Sequence, residues 1–224
     1  MLPPIDLLVR AATVLAILVG MVVRRRVGTC VSFTAYLALA LLGAGCKMAG
    51  LVDWTIWGTI AALQAGASLA TALEVAARTY HYELPGARAA LGHRLLLGLA
   101  LGLVAVVAWA RVPPPMTPGE AYDSLYELDR RLNALAGWLC AVVLAFSAYN
   151  WTLDAWHRDV LAGLLFYRLG FIVLSTLPLS PRWPTWLFAM TLSWWLLAAW
   201  RRDERLPDWP SWLIALVFPW RARP

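Results

Sequence analysis

The chain of 224 residues is 61% hydrophobic and only 14% charged, whereas soluble domains are about one half apolar and one quarter charged. So short a chain must cover much of its surface with polar groups when it folds in water, so this composition excludes a water-soluble single-core domain. The net charge of +6 comes without a basic run interleaved with stacking aromatics, which argues against nucleic acid and for anchoring to an anionic membrane leaflet.

Seven apolar runs follow in chain order, at residues 5–23, 31–50, 54–77, 95–110, 132–151, 160–177 and 184–200. Most approach the roughly twenty residues that cross a hydrocarbon core of about 30 Å as a helix. Each is predicted to be helical, because lipid offers no partner to unpaired backbone groups and none of the runs alternates like a barrel strand. The first run is read as a retained helix: Met1-Leu2-Pro3-Pro4-Ile5-Asp6 lacks the basic stretch of a signal peptide, and Arg10 interrupts the apolar residues. In the fourth run, Gly98 and Gly102 are spaced to allow a close helix approach.

Pro113, Pro114 and Pro115 end the fourth helix, since proline cannot donate to the next turn. Thr117-Pro118-Gly119-Glu120 then reads as a capping box with proline at the first helical position. Tyr122, Leu125, Tyr126 and Leu132 share one stripe, which predicts an outer amphipathic helix at about 117–131 running into the fifth span. The apolar stretch 209–218 is too short to span and is flanked by Arg205, Arg221 and Arg223, which predicts an interfacial helix. The fold expected is therefore an all-α polytopic bundle over residues 1–200 with an inner interfacial tail at 201–224.

Arginine sets the direction of threading. With the N-terminus outside, the inner segments hold twelve basic residues, including Arg24, Arg25, Arg26, Arg78, Arg158 and Arg201, against five in the outer segments. Excess Lys and Arg mark cytoplasmic loops, so the expected topology is N-out and C-in across the inner membrane. Cys30, Cys46 and Cys140 are odd in number and lack C-x-x-C spacing, which argues against disulfides or a thiolate zinc site. They are read as small apolar packing residues.

Polar groups inside spans are the candidate sites, because the bilayer makes them costly. Arg168 falls about 13 Å into the sixth span, near its middle. A guanidinium stays charged, so it needs a partner, a wet cavity or an anionic ligand, and Gln64 lies at a similar depth. Glu74 and Arg78 stand four apart in the favourable order for a helical ion pair. With His81, Glu83, His157 and Arg158 they make a polar cluster expected on the inner face. All three histidines, His81, His93 and His157, map to helix ends or inner connections, which fits neither an axial haem pair nor a metal site within the membrane. No G-x-S-x-G, H-E-x-x-H or phosphate-binding G-x-x-x-x-G-K-[ST] motif occurs. No catalytic residue, cofactor or metal is assigned.

Further features carry a resemblance. Arg24-Arg25-Arg26 ends the first span, Phe33 and Tyr36 open the second, and Glu74 lies near the end of the third. Leu84-Pro85-Gly86-Ala87-Arg88 follows in the loop, and Phe146-Ser147-Ala148-Tyr149 closes the fifth span. In these the chain resembles a group of bacterial seven-helix membrane proteins of unassigned activity, which implies fold and topology alone. Microbial rhodopsins share the helix number, but their retinal lysine belongs on the last helix, and the sole lysine here is Lys47.

The expected function is a non-enzymatic sensory or scaffolding module that acts through its inner face. Its partners would be membrane lipids and a protein, or a second copy of the chain. Alternatives are a carrier or binding protein for a small anionic or lipidic solute around Arg168, and a lipid-headgroup enzyme at the inner cluster. Reporter fusions test the threading: an N-terminal tag should lie outside and a C-terminal tag inside. Both tags on one side would overturn it.

Overall fold

A computed structural model of the protein describes residues 5–51, 53–81, 87–110, 121–150, 153–175 and 183–201, with backbone alone at 54–55, 80–81, 87–93, 108–110, 121–127, 148–150 and 175. Its elements are α1 (Ile5–Val23), α2 (Val31–Met48), α3 (Trp54–His81), α4 (Ala87–Ala110), α5 (Ala121–Asn150), α6 (Ala155–Ser175) and α7 (Trp183–Trp200). A 3₁₀ turn, Val27–Thr29, joins α1 to α2, and no strand occurs among the described residues. By length and composition α1, α2 and the stretch Ile56–Thr79 of α3 can cross a membrane. The tail at 209–218 and the capping box at 117–120 lie outside the described residues.

The helices follow the apolar runs where these are strongest. α1 has the bounds expected, and α7 differs by one residue. Elsewhere the helix outruns the apolar run, because helix propensity and hydropathy are separate properties. α4 starts at Ala87 instead of 95, since Ala87-Arg88-Ala89-Ala90-Leu91 is polar in part but made of strong helix formers. α5 runs unbroken from Ala121, through the segment predicted to be amphipathic, into the fifth apolar run.

The packing order is not the chain order. α1, α2, α3, α6 and α7 follow one another around a ring, through the contacts α1–α2, α2–α3, α3–α6, α6–α7 and α7–α1. α5 packs against both α3 and α6, and α4 lies outside, mainly against α5. The N-terminal half of α1 meets that of α7 at Arg10 and Phe188, and their C-terminal ends meet at Gly20 and Trp200, so the two helices run parallel. The bundle therefore has a basic end, with Arg24, Arg25, Arg26, Arg78, Arg158 and Arg201, and an opposite end with Lys47, Trp57 and Trp183.

Two helix ends close in the same way. At the end of α1, the N–H of Arg26 donates to Met21 O and that of Arg25 to Val22 O. At the end of α2, Leu51 donates to Cys46 O and Gly50 to Lys47 O. This pairing requires a left-handed residue at the first position beyond the cap. Gly50 takes it at φ +73°, and Arg25 takes it at φ +56° despite its side chain.

The turn at Arg25 aims Arg26 across the bundle. Its guanidinium donates to Ala198 O at 2.5 Å and Arg201 O at 3.1 Å, while Arg24 donates to Trp200 O at 3.2 Å. Those carbonyls end α7 and carry the negative end of its dipole. Two arginines from α1 thus cap a helix far away in sequence. Trp156 is buried beneath Arg26, with the guanidinium carbon 5.1 Å from the ring centre.

α7 seats its tryptophans in glycine notches. Buried Trp195 lies against Gly163 of α6, where an added Cβ would fall 2.2 Å from the indole Nε1. Trp200 lies against Gly20 and donates to Ala16 O at 3.1 Å. The close approach that the spacing of Gly98 and Gly102 allows is not made within the described bundle: both are exposed, and nothing lies within 4 Å of either Cβ position. α4 presents that stripe outward because its packed side faces α5.

Gly163→Ala should destabilise the bundle by about 1–3 kcal/mol through overpacking. Gly66→Ala, where the new Cβ meets nothing within 4 Å, should be neutral or slightly stabilising. Thermal unfolding in mild detergent measures both, and equal midpoints for the two variants would remove the notch from the account.

Candidate functional site

A cavity of about 250 Å³ lies inside the ring, lined by α1, α2, α3, α6 and α7. It reaches from Leu7, Lys47, Pro184 and Thr185, in terminal turns at the opposite end, down to Val14, Tyr36 and Arg168. Arg168 lies about two turns from the end of α6, so its surroundings belong to this end of the bundle. Gln64 of α3 lines the same space. The two residues singled out in the sequence are therefore brought together on one cavity. No hydrogen bond joins them.

Arg168 is only 8% exposed. Its guanidinium carbon lies 5.0 Å from the Tyr167 ring centre and 5.5 Å from that of Tyr36. Among the described residues it has no hydrogen bond or ion pair, and its buried Nε lacks a partner. Its charge is felt by Asp129 of α5, although the two form no ion pair within 4.0 Å. A buried guanidinium without an acceptor is costly, because its charge and N–H groups are taken out of water. Cation–π contacts return about 0.5–2 kcal/mol. Neither ring supplies the oxygen acceptor that the guanidinium N–H groups require.

Two more cations line the cavity nearer its mouth, each with a partner. Arg10 lies 3.9 Å from Asp6 and 5.8 Å from the Phe188 ring centre, and Lys47 lies 5.2 Å from that of Trp57. The first turn of α7 adds the positive end of its dipole through Pro184 and Thr185. Lys47, Tyr36, Tyr167 and Trp57 were not singled out as site residues in the sequence. The available signal was that Arg10, Lys47 and Arg168 fall near those ends of their helices that an alternating bundle gathers on one side.

Below the cavity the bundle is filled by rings. Tyr36 stands 5.9 Å from Trp195 and 6.2 Å from Phe33, Phe33 stands 4.9 Å from Trp195, and Phe33 stands 5.8 Å from Trp156. Arg26 covers Trp156. An unbroken series of ring contacts thus links the cavity arginine to the arginine that caps α7.

The cluster expected on the inner face lies at the basic end, where it braces the connection between α1 and α2. Glu74 accepts from the N–H groups of Val31 and Ser32 at 3.3 and 3.0 Å, capping α2 from α3, and it pairs with Arg78 at 3.5 Å. From the other side, the ring of His157 bonds Asp154 Oδ1 through Nδ1 at 2.7 Å and Thr29 O through Nε2 at 2.8 Å. Asp154 also accepts from the His157 N–H at 2.8 Å, which caps α6. Asp159 pairs with Arg201 at 3.2 Å, and Arg158 is half-buried beside them. The side chains of His81 and Glu83 lie outside the described residues.

Among the described residues no group of three His, Cys, Asp or Glu side chains is placed to hold a metal. The cysteines are free, and burial pushes the Cys30 thiol up to about 12, which keeps it protonated and unreactive. Compared with known protein families, curated proteins and solved structures, the chain has no match.

Both acceptors of His157, a carboxylate and a carbonyl, require a donor, so the geometry selects the doubly protonated imidazolium. Burial opposes that charge, but the hydrogen bonds to Asp154 and Thr29 outweigh it and raise the His157 pKa above its ordinary 6.5. A raised pKa contributes stability that is full below the unfolded value and lost as pH rises through the folded one. Burial likewise opposes the Asp154 carboxylate, yet its bonds to His157 hold its pKa below the usual 3.8. Its contribution is lost only as the medium becomes strongly acidic. The unfolding midpoint in detergent should therefore fall as pH rises from about 6.5, and His157→Gln should flatten that slope. An unchanged slope would remove His157 as its source.

Proposed function

We propose that the chain is a multi-pass protein of the inner membrane, with seven spanning helices threaded N-out and C-in, that binds a small anionic solute inside its bundle and reports it at its cytoplasmic face. Membrane embedding is supported by the three long apolar helices and by the outward surface. Leu99, Leu103, Trp186 and Leu197 are 66–71% exposed, and each would carry a hydrophobic cost of about 25 cal/mol per Å² in water. Lipid removes that cost. In this threading the basic end meets the anionic leaflet, and the cavity opens outward.

The observation that carries the solute reading is Arg168: nine-tenths buried, without a hydrogen bond or ion pair among the described residues, and set in the wall of a cavity. A structural arginine would be expected to hold an acceptor, as Arg26 does. The sensory part rests on the ring series from Tyr36 to Trp156, which gives the cavity a packed route to the cap of α7. A shift at Tyr36 would bear on Trp195, which has no room beside Gly163 to absorb it. Because the same rings fill the bundle below the cavity, sensing is favoured over carriage. An enzymatic inner face has less behind it, since His157 and Asp159 are already held by Asp154, Thr29 and Arg201. The output would pass to a protein partner or a second copy of the chain.

Arg168→Met tests the site. Removing an unpaired buried cation should leave the unliganded protein as stable or more so, and should abolish the thermal stabilisation by anions seen with the wild type. A panel of chloride, acetate, phosphate and benzoate added in mild detergent reads both effects. Anion-dependent stabilisation that survives in the variant would refute the assignment.

A further inference from the structure

The walls of the cavity say more about the solute than its sign. This inference rests on the anion-binding reading above and narrows it to a chemical class. The rings of Tyr36 and Tyr167 lie about 5 Å from the Arg168 guanidinium carbon, and Nε is sealed without a partner. What remains for a ligand is the terminal Nη edge, a planar pair of donors. That edge matches the two oxygens of a carboxylate in one plane.

Charge points the same way. Arg10 has Asp6 beside it, and Lys47 stands at the mouth on Trp57. Among the described residues Lys47, like Arg168, has only ring contacts, but it stands at the mouth. Arg168 is therefore the one cation of the lining at depth, and with Asp129 of α5 acting on it from beyond ion-pair distance it suits a monoanion. A phosphate would need donors for three oxygens. Most of the wall comes from helix interiors, whose N–H groups are already bonded along their own helices. Apart from the cations, Gln64, Thr185 and the tyrosine hydroxyls are the polar side chains of the lining, and Ala40, Ile60, Ala61, Trp57 and Phe188 are apolar. The volume of about 250 Å³ falls below the roughly 300–1,000 Å³ of sites for drug-sized ligands, so the whole molecule is small.

We propose that the cavity takes a small apolar carboxylic acid in its ionised form, with the carboxylate on Arg168 and its apolar body against Trp57, Ile60 and Phe188. Gln64 offers the carboxylate an amide donor, and the dipole of α7 adds to the attraction at the entrance.

The probe series is benzoate, benzenesulfonate, phenylphosphonate and benzamide, titrated calorimetrically into the full-length protein in mild detergent. All four share one ring and differ in the head. Benzoate should bind at least about tenfold more tightly than each of the others, since the sulfonate and phosphonate are tetrahedral and the amide is neutral. Arg168→Lys keeps the charge but loses the fork, and should weaken benzoate at least about tenfold while changing chloride binding less than about threefold. If that variant fails to fold, the wild-type series decides alone. Sulfonate or phosphonate binding as tightly as benzoate would overturn the carboxylate assignment while leaving the anion site standing. No binding by any of these anions, nor by chloride or phosphate, would bring down the anion site itself.

Discussion

The bundle depends on how α7 is held at its last turn. A helix end buried among neighbours leaves carbonyls that nothing in its own backbone can satisfy, and in an apolar medium each such group costs several kcal/mol. Arg24 and Arg26 supply the missing donors from the end of α1. With that end tied, Trp195 and Trp200 are drawn into the notches at Gly163 and Gly20, and α7 closes the ring between α1 and α6. Without the cap the two tryptophans would lack a fixed depth, and the floor of the cavity, which includes Tyr36 against Trp195, would lose its reference.

The two ends of the molecule use arginine in opposite ways. At the basic end two buried cations hold acceptors: Arg26 has carbonyls and a ring face, and His157 has a carboxylate and a carbonyl. At the other end Arg168 has ring faces alone. The contrast lies in the depth and partnering of equivalent groups within one fold, which is why it speaks about use and not merely about packing. A site that lowers the stability of its scaffold is the usual cost of a binding function.

The sequence made the helices legible and the long-range partnerships illegible. Apolar runs located the seven described helices, because each helix needs a continuous apolar stretch to pack in the bundle, and α1 and α7 came within a residue of their bounds. The start of α4 was missed where propensity carries the helix past the grease, whereas the amphipathic stripe of Tyr122, Leu125 and Tyr126 had already extended α5 ahead of its apolar run. Arg168 and Gln64 could be paired by depth alone, since rise per residue converts position into height. The role of Arg26 could not be read, because its acceptor at Ala198 is 172 residues away and is a backbone atom, which leaves no mark on the sequence. Glu74 and His157 were visible as charged groups, but their partners Val31, Ser32 and Thr29 are likewise main-chain groups. The stripe of Gly98 and Gly102 was legible but its direction was not, because spacing tells which residues share a stripe, not which way the stripe faces.

The basic triplet after α1 combines separate duties in three adjacent letters. Arg24 and Arg26 reach inward to carbonyls, whereas Arg25 is exposed and occupies a backbone conformation that asks for no side chain at all. An engineer wishing to alter the electrostatic vote for sidedness therefore has one clean handle here. Neutralising Arg25 edits the vote, and choosing glycine would also relax the backbone. Neutralising either neighbour would confound insertion with assembly, because the same atom group serves both.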